Sequence, residues 1–402
     1  MKQARTAVVR TAIAAVAVAA VSTPTFAQSS ASFTVGEKEV QVHGSVQQGF
    51  AFSTGNNFLT MNTRDGSGAM TDGAFNLASQ LTSKLRVGAQ VYSRNVGDLG
   101  NGSLQIDWAF GDYKVNKAFG IRAGKVKTTL GLYNDTQDME FLHTWALLPQ
   151  GVYPLDLRSV TIAHVGVDAY GTLPLNRAGS LQYTVYGGAI QDDTKGGYRY
   201  GLEDQGMRFQ GDITSRGVGF DARWSAPVEG LTAGYSLLQS KKDLDITIPA
   251  LPIPLHVDVP VARIQAVFGE MQRDRLKLAT EWRQESTETR LTPAISPDAV
   301  MTSRGWFGSG SYRLNDRLEL GYYHSRYVQD VTLASGDDTN HISDHAIATR
   351  VDLNRFWHVK VEGHFIDGNG NISYARGFYL RSNPDGFEPT TRMLVIRTGI
   401  VF

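Results

Sequence analysis

In RLKLATEW the side chains alternate: Leu276, Leu278, Thr280 and Trp282 fall on one face, and Arg275, Lys277, Ala279 and Glu281 on the other. Successive residues of a strand point to opposite faces, so this period predicts a two-faced strand. FWHVKVEGHF repeats it, with Trp357, Val359, Val361 and Phe365 against His358, Lys360, Glu362 and His364. LRVGAQVY, LQIDWAF, VGFDARW and MLVIRTGIVF do the same. The pattern predicts sixteen strands, near 40–53, 69–81, 83–94, 102–115, 117–127, 158–171, 179–191, 216–226, 231–241, 258–269, 274–287, 302–314, 316–328, 343–353, 355–366 and 390–402. Each can supply the ~9–11 residues that a tilted strand needs to cross a bilayer.

The connections alternate between short and long. Short ones fall near Thr82 and Asn116, at TLPLNRAG (172–179) and PVEG (227–230), and near Arg273, Asn315 and Asn354; long ones span 54–68, 95–101, 128–157, 192–215, 242–257, 288–301, 329–342 and 367–389. A transmembrane barrel has short turns at one end and longer loops at the other, whereas a soluble sandwich has no reason to sort them. No repeat of about 20–30 residues supports a solenoid. The expected fold class is therefore all-β, a transmembrane antiparallel β-barrel of about 16 strands, with both chain ends at the short-turn side. Five of the six tryptophans, Trp108, Trp224, Trp282, Trp306 and Trp357, are expected in strands and in phase with the apolar residues. With Phe119, Phe220, Tyr235, Tyr312 and Tyr322 they predict an aromatic belt.

Composition agrees. The 402 residues include 42 Gly, 16 Tyr and 18 Phe, a mixture that favours strands. No cysteine is present, which removes disulfides, thiolate metal sites and a Cys nucleophile. A formal net charge of zero gives no support to a nucleic-acid partner. The first 27 residues read as an export signal: Lys2, Arg5 and Arg10, then the apolar run TAIAAVAVAAV, then TPTFA with cleavage after Ala27. The barrel is expected over 28–402, without a transmembrane helix.

MLVIRTGIVF, alternating and ending on Phe402, resembles the terminal strand of bacterial outer-membrane barrels. The strand count and the long third loop resemble the trimeric porins, and GIRAGKVKTTLGLYND (Gly120 to Asp135) is similar in style to the segment leading into that loop in phosphate-selective and related porins. The resemblance implies a bacterial outer-membrane location, contact with outer-membrane lipid and the barrel-insertion machinery, a homotrimer, and passive diffusion of small hydrophilic solutes. It also implies a third loop turned into the barrel; the alternative is an external loop packed on its neighbours or on another subunit. An outer-membrane lipase or protease, or a surface adhesin or receptor, is the alternative.

A wide barrel has a wet lumen whose charges tune selectivity. The inward phase carries Arg86, Arg94, Arg122, Arg223, Arg263, Lys277, Arg283, Arg313, Arg350, Lys360 and Arg397 against Asp107, Asp168, Asp221, Glu281, Glu319, Asp352 and Glu362. The set reads first as a solvated wall of mixed charge; the modest lead of bases gives the alternative of a mild anion preference. The alternation stumbles at Arg122, Lys125 and Lys127, and a β-bulge near Gly124 is expected to gather them.

The third loop, 128–157, is half apolar and half acidic. Phe141, Leu142, Trp145, Leu147, Leu148 and Tyr153 are expected to pack on the wall, and Asp135, Asp138 and Glu140 to face the passage. Acids on the loop opposite bases on the wall, Arg86 and Arg122 foremost, would set up a transverse field. The predicted constriction set is thus Arg86, Arg122, Lys125, Lys127, Asp135, Asp138, Glu140, Arg350, Lys360 and Arg397.

No cofactor, metal or catalytic set is expected. His358 and Glu362 stand roughly 13 Å apart along a strand, too far for one ion. DGNGN (Asp367 to Asn371) has Ile372 and Phe378 where a calcium loop needs Gly and an acid, so it reads as a turn. His143, His164, His256, His324, His341 and His345 form no spacing that singles out a triad.

Overall fold

The computed structural model describes residues 31–249, 251–371 and 376–402; the export signal of residues 1–27 lies outside them. Sixteen antiparallel strands form the wall: β1 Lys38–Thr54, β2 Ser67–Gln80, β3 Leu85–Val96, β4 Leu104–Lys114, β5 Gly120–Lys127, β6 Ala163–Pro174, β7 Ser180–Ile190, β8 Thr214–Ser225, β9 Leu231–Ile248, β10 Leu251–Arg273, β11 Leu276–Thr292, β12 Ala299–Arg313, β13 Leu318–Val328, β14 His341–Asp352, β15 Trp357–Asp367 and β16 Thr390–Val401. Each pairs with its sequence neighbours, and β16 pairs back onto β1, Arg392 opposite Thr54 through Val401 opposite Ser45. The sheet therefore closes and leaves no long edge unpaired. Short strands at Ala31–Val35 and Arg208–Phe209 attach to β1 and β9, and one α-helix among the described residues, α1 Gly197–Asp204, lies in the fourth long loop.

The two-faced pattern becomes the two faces of the wall. On β11, Leu276, Leu278 and Trp282 are exposed on the outside, and Ala279, Glu281 and Arg283 are buried inside. On β15, Trp357, Val361 and Phe365 look out, and His358, Lys360, Glu362 and His364 look in. Trp224, Trp282, Trp306 and Trp357 are exposed together with Phe119, Phe220, Tyr235, Tyr312 and Tyr322. This is the apolar, aromatic-rimmed exterior of a transmembrane barrel.

Several expectations are corrected. Trp108 is not in the belt. The β3–β4 register shifts between Gln90 and Val91, leaving Asp107 as the extra residue, so Trp108 stands opposite the inward Gln90 and is buried. The bulge expected near Gly124 is absent: the pairing of β5 runs unbroken through Gly124 on both sides. Arg263 faces out, because a second shift between Asp258 and Val261 inverts the phase, and it donates to the outward Gln239 at 3.2 Å. The sixth strand begins at Ala163, so Arg158–Val160 belongs to the third loop as a short 3-10 turn.

The segment 242–257, expected as a loop, is a continuation of β9 and β10. Its alternation is reversed. Lys241, Asp243, Asp245 and His256 are exposed outside, while Leu244, Ile246, Leu255, Val257 and Val259 are buried inside. These strand ends thus have a charged outer face, where that of the wall below, as at Tyr235 and Val267, is apolar. Their inner face packs on Ile213, Tyr198, Met207 and Phe209 of the fourth long loop. The polarity of each face follows what it touches, and the strand itself continues.

Candidate functional site: the third loop inside the barrel

The chain leaves β5 at Lys127 and turns into the lumen. Glu281, inward on β11, accepts from the Leu132 N–H at 2.8 Å, and Ser236 Oγ, inward on β9, accepts from the Gly131 N–H at 2.9 Å. The loop start is thereby fixed to the far wall. Gly131 has φ +67, and a Cβ there would sit 2.3 Å from the Glu281 carboxylate, so both conformation and space call for glycine. Tyr153 returns to the same point: its hydroxyl donates to Glu281.

From Tyr133 the loop swings back to β3–β5. Here Lys127 pairs with Asp138, and Arg158 Nη2 lies 2.7 Å from Asp107 and 3.4 Å from Asp138. Gln90 Nε2 donates to Asp107 and Asp138 at 3.0 and 3.1 Å. Burial pushes the Asp138 carboxyl up, but Lys127 and Arg158 outweigh it and hold the group below the usual carboxylate range.

The next segment crosses to β13–β16. Arg350, Lys360 and Arg397 stand in one row, directly opposite one another across β14, β15 and β16. They grip the loop backbone. Arg350 donates to the carbonyls of Phe141 (2.8 Å) and His143 (2.9 Å), Lys360 to those of Glu140 (2.7 Å) and Trp145 (2.9 Å), and Arg397 to that of Ala146 (3.0 Å). Lys360 Nζ also lies 2.7 Å from Glu140 Oε1, His358 Nε2 lies 2.7 Å from Oε2, and Arg397 pairs with Asp72. Burial raises the Glu140 carboxyl, but Lys360 and the His358 hydrogen bond outweigh it and hold the group low. His143, buried behind them, is pushed down to about 3 by desolvation.

Of the apolar half, Trp145, Leu147 and Tyr153 are buried and Leu148 is partly so. Trp145 lies edge-on to Tyr323 at 5.0 Å and over Gly321, where a Cβ would fall 2.7 Å from its ring. Phe141 is half-buried, and Leu142 is exposed and makes no anchor, which corrects the packing expected for it.

The remaining predicted residues lie elsewhere on the wall. Arg86 is exposed near the short-turn end of β3. Arg122 sits between the rings of Phe110 and Tyr170 and pairs with Asp112 (3.5 Å) and Asp168 (4.0 Å). Lys125 alternates away from Arg122 and donates to the Ile106 carbonyl at 2.7 Å. Asp135 lies 4.0 Å from Arg223. Asp138 and Glu140 are buried in ion pairs with wall bases.

Sequence reasoning missed Arg158, placed on a strand by its spacing, and the inward reach of the last long loop. The Tyr379 hydroxyl and Gly377 N–H both donate to Asp156 at 2.7 Å. Phe378 joins Phe58, Leu59 and Leu147 in a buried cluster. No alternation marks such contacts.

Of the candidate histidines, His143, His164, His256, His341 and His345 are held by hydrogen bonds. His164 joins Thr128 (2.9 Å) to Asp168 (2.8 Å), all three buried, which closes the β5–β6 seam beneath the loop. The rings of His324 and His345 lie 4.2 Å apart on the outer face, tilted by 30°. At the long-loop rim Asp338, His341 and Asp367 bring ligand-type atoms within 4.8 Å of one another, with His341 Nε2 2.9 Å from Asp367 and Nδ1 2.8 Å from the Asp337 carbonyl.

No family model matches the chain, and no curated protein matches it at the level of sequence. Solved structures do match. OmpT of Vibrio cholerae aligns with TM-score 0.56 and 12% identity over 92% of this chain and 100% of that one. The outer membrane channel DcaP of Acinetobacter baumannii aligns with TM-score 0.57 and 11% identity over 92% and 100%. An anion-selective porin from Comamonas acidovorans aligns with TM-score 0.54 and 12% identity over 91% and 100%. At such identities the likeness establishes the fold, that of the sixteen-stranded porins.

Proposed function

We propose that this barrel is an outer-membrane diffusion channel for small hydrophilic solutes, working as a homotrimer, with the third loop as its constriction and a mild preference for anions. The reading is carried by one observation: a long loop held inside a closed barrel by buried ion pairs on β5 and β15. A loop so anchored narrows the lumen without hinging on solvent-exposed contacts. The channel and its solute class also draw on the titles borne by its structural neighbours, a channel and an anion-selective porin; the trimer draws on a neighbour described in trimer form.

Support for the anion preference comes from the wall pairs. In three of them the base is more exposed than the acid, Arg122 at 29% against Asp112 at 14%, Arg223 at 21% against Asp221 at 3%, and Arg313 at 38% against Glu319 at 13%, whereas Arg350 and Asp352 reverse the order at 14% and 19%. At those three pairs a passing ion meets guanidinium before carboxylate. The test is planar-bilayer recording in a KCl gradient. Discrete current steps with a reversal potential on the chloride side are expected, and Arg122→Gln with Arg313→Gln should move that potential toward zero. Cation selectivity would remove the preference and leave the channel; a silent bilayer would remove the channel.

A further inference from the structure

Above the third loop lies a cavity of about 350 Å³, bounded by that loop, the fourth long loop and the inner faces of β9–β12. Its wall is out of character for a water-filled lumen. The inverted stretch of β9 and β10 presents Leu244, Leu255 and Val257, and β11 adds Leu291. Its charged lining is dominated by bases: Lys242, Arg158, Arg283 and Arg376 against Glu285. Arg283 is 4% exposed, and only its Nη1 makes a hydrogen bond, to the Val152 carbonyl at 2.9 Å. Its Nε and Nη2 have no hydrogen-bond acceptor, Glu281 lying 3.5 Å from Nη2. Buried guanidinium N–H groups left in this state favour an incoming acceptor.

We infer that this vestibule binds an amphipathic organic anion, its alkyl or aryl body against Leu244, Leu255, Val257 and Leu291 and its carboxylate toward Arg283 and Lys242. The volume suits such a molecule, since small-ligand pockets run from about 300 Å³ upward. Apolar contact supplies affinity that grows with the body, and the bases select the sign of the head group. The inference rests on the channel reading for the solute's passage, and on the cavity alone for its binding.

The probes are butanoate, hexanoate and octanoate, with alkylammonium ions of the same lengths, applied from the long-loop side while single-channel current is recorded. Equilibrium dialysis of octanoate against amphipol-held protein runs in parallel. Each added methylene should tighten block by about two- to fourfold. Octanoate should block at least about tenfold more tightly than octylammonium, a ratio ordinary for one charged contact. Leu291→Gln, at a half-exposed position, and Leu244→Gln should each flatten the chain-length dependence, and Lys242→Gln should shrink the acid-to-ammonium ratio. Block independent of chain length in a conducting channel overturns the site while the channel stands. Equal block by both charge types overturns the choice of an anion. A silent bilayer counts against the channel, and dialysis then decides the site: saturable octanoate binding lost in Leu291→Gln upholds it, and no binding overturns it.

Discussion

Lys360 and Glu140 lie 220 residues apart in the chain and meet inside the barrel with Nζ and Oε1 2.7 Å apart, both side chains buried. Removing one partner of such a pair leaves the other charge buried, at a cost of about 3–5 kcal/mol. Lys360→Met should therefore lower unfolding stability in urea by about that amount and raise single-channel conductance as the loop loosens. Lys360→Met with Glu140→Gln should cost less than the two single changes summed, by about 0.5–3 kcal/mol in a double-mutant cycle.

Acid should release the loop in two stages. His143 is held near 3 inside the fold, below its ordinary value of about 6.5, so the unfolded chain takes up its proton first. Stability that is whole above about pH 6.5 is thus lost as pH falls toward 3. Asp138 and Glu140 are also depressed; their contribution is present above about pH 4 and is lost as pH falls through their lower folded values. Thermal midpoints should drop from near pH 6.5 downward, and His143→Gln should delay the onset to near pH 4. An unchanged onset in His143→Gln would contradict this order.

Gly321 and Trp145 share one space. A Cβ at Gly321 would lie 2.7 Å from the indole, so Gly321→Val should displace Trp145, cost about 1–3 kcal/mol and increase current noise. Gly308→Ala is the control, because a Cβ there meets nothing within 4 Å; its conductance and urea midpoint should match those of the parent protein.

The tryptophans should divide by face. In single-Trp variants reconstituted with brominated lipid, Trp224, Trp282, Trp306 and Trp357 should be quenched strongly. Trp108 and Trp145, both buried inside, should be quenched weakly. Strong quenching of Trp108 would refute the inversion at Asp107.

Much of this was written in the chain. The alternation through RLKLATEW and FWHVKVEGHF determined both strand and face, because a two-residue period leaves each side chain no choice once one face meets lipid and the other water. The ordering of short and long connections determined which loop is third. The tertiary structure decided what depends on distant partners. Local pattern carries no trace of Asp107 as a bulge, yet that one residue moved Trp108 from the outer belt to the lumen. Nor could it distinguish a loop from a continued strand, as the reversed alternation from Leu244 to Val259 shows, since the sign of each face depends on its surroundings. The row of Arg350, Lys360 and Arg397 exists only because three strands align them. Arg158, Asp156 and Tyr379 found their partners only when the loops folded inward, where a buried charge is tolerated only if another part of the chain arrives to meet it.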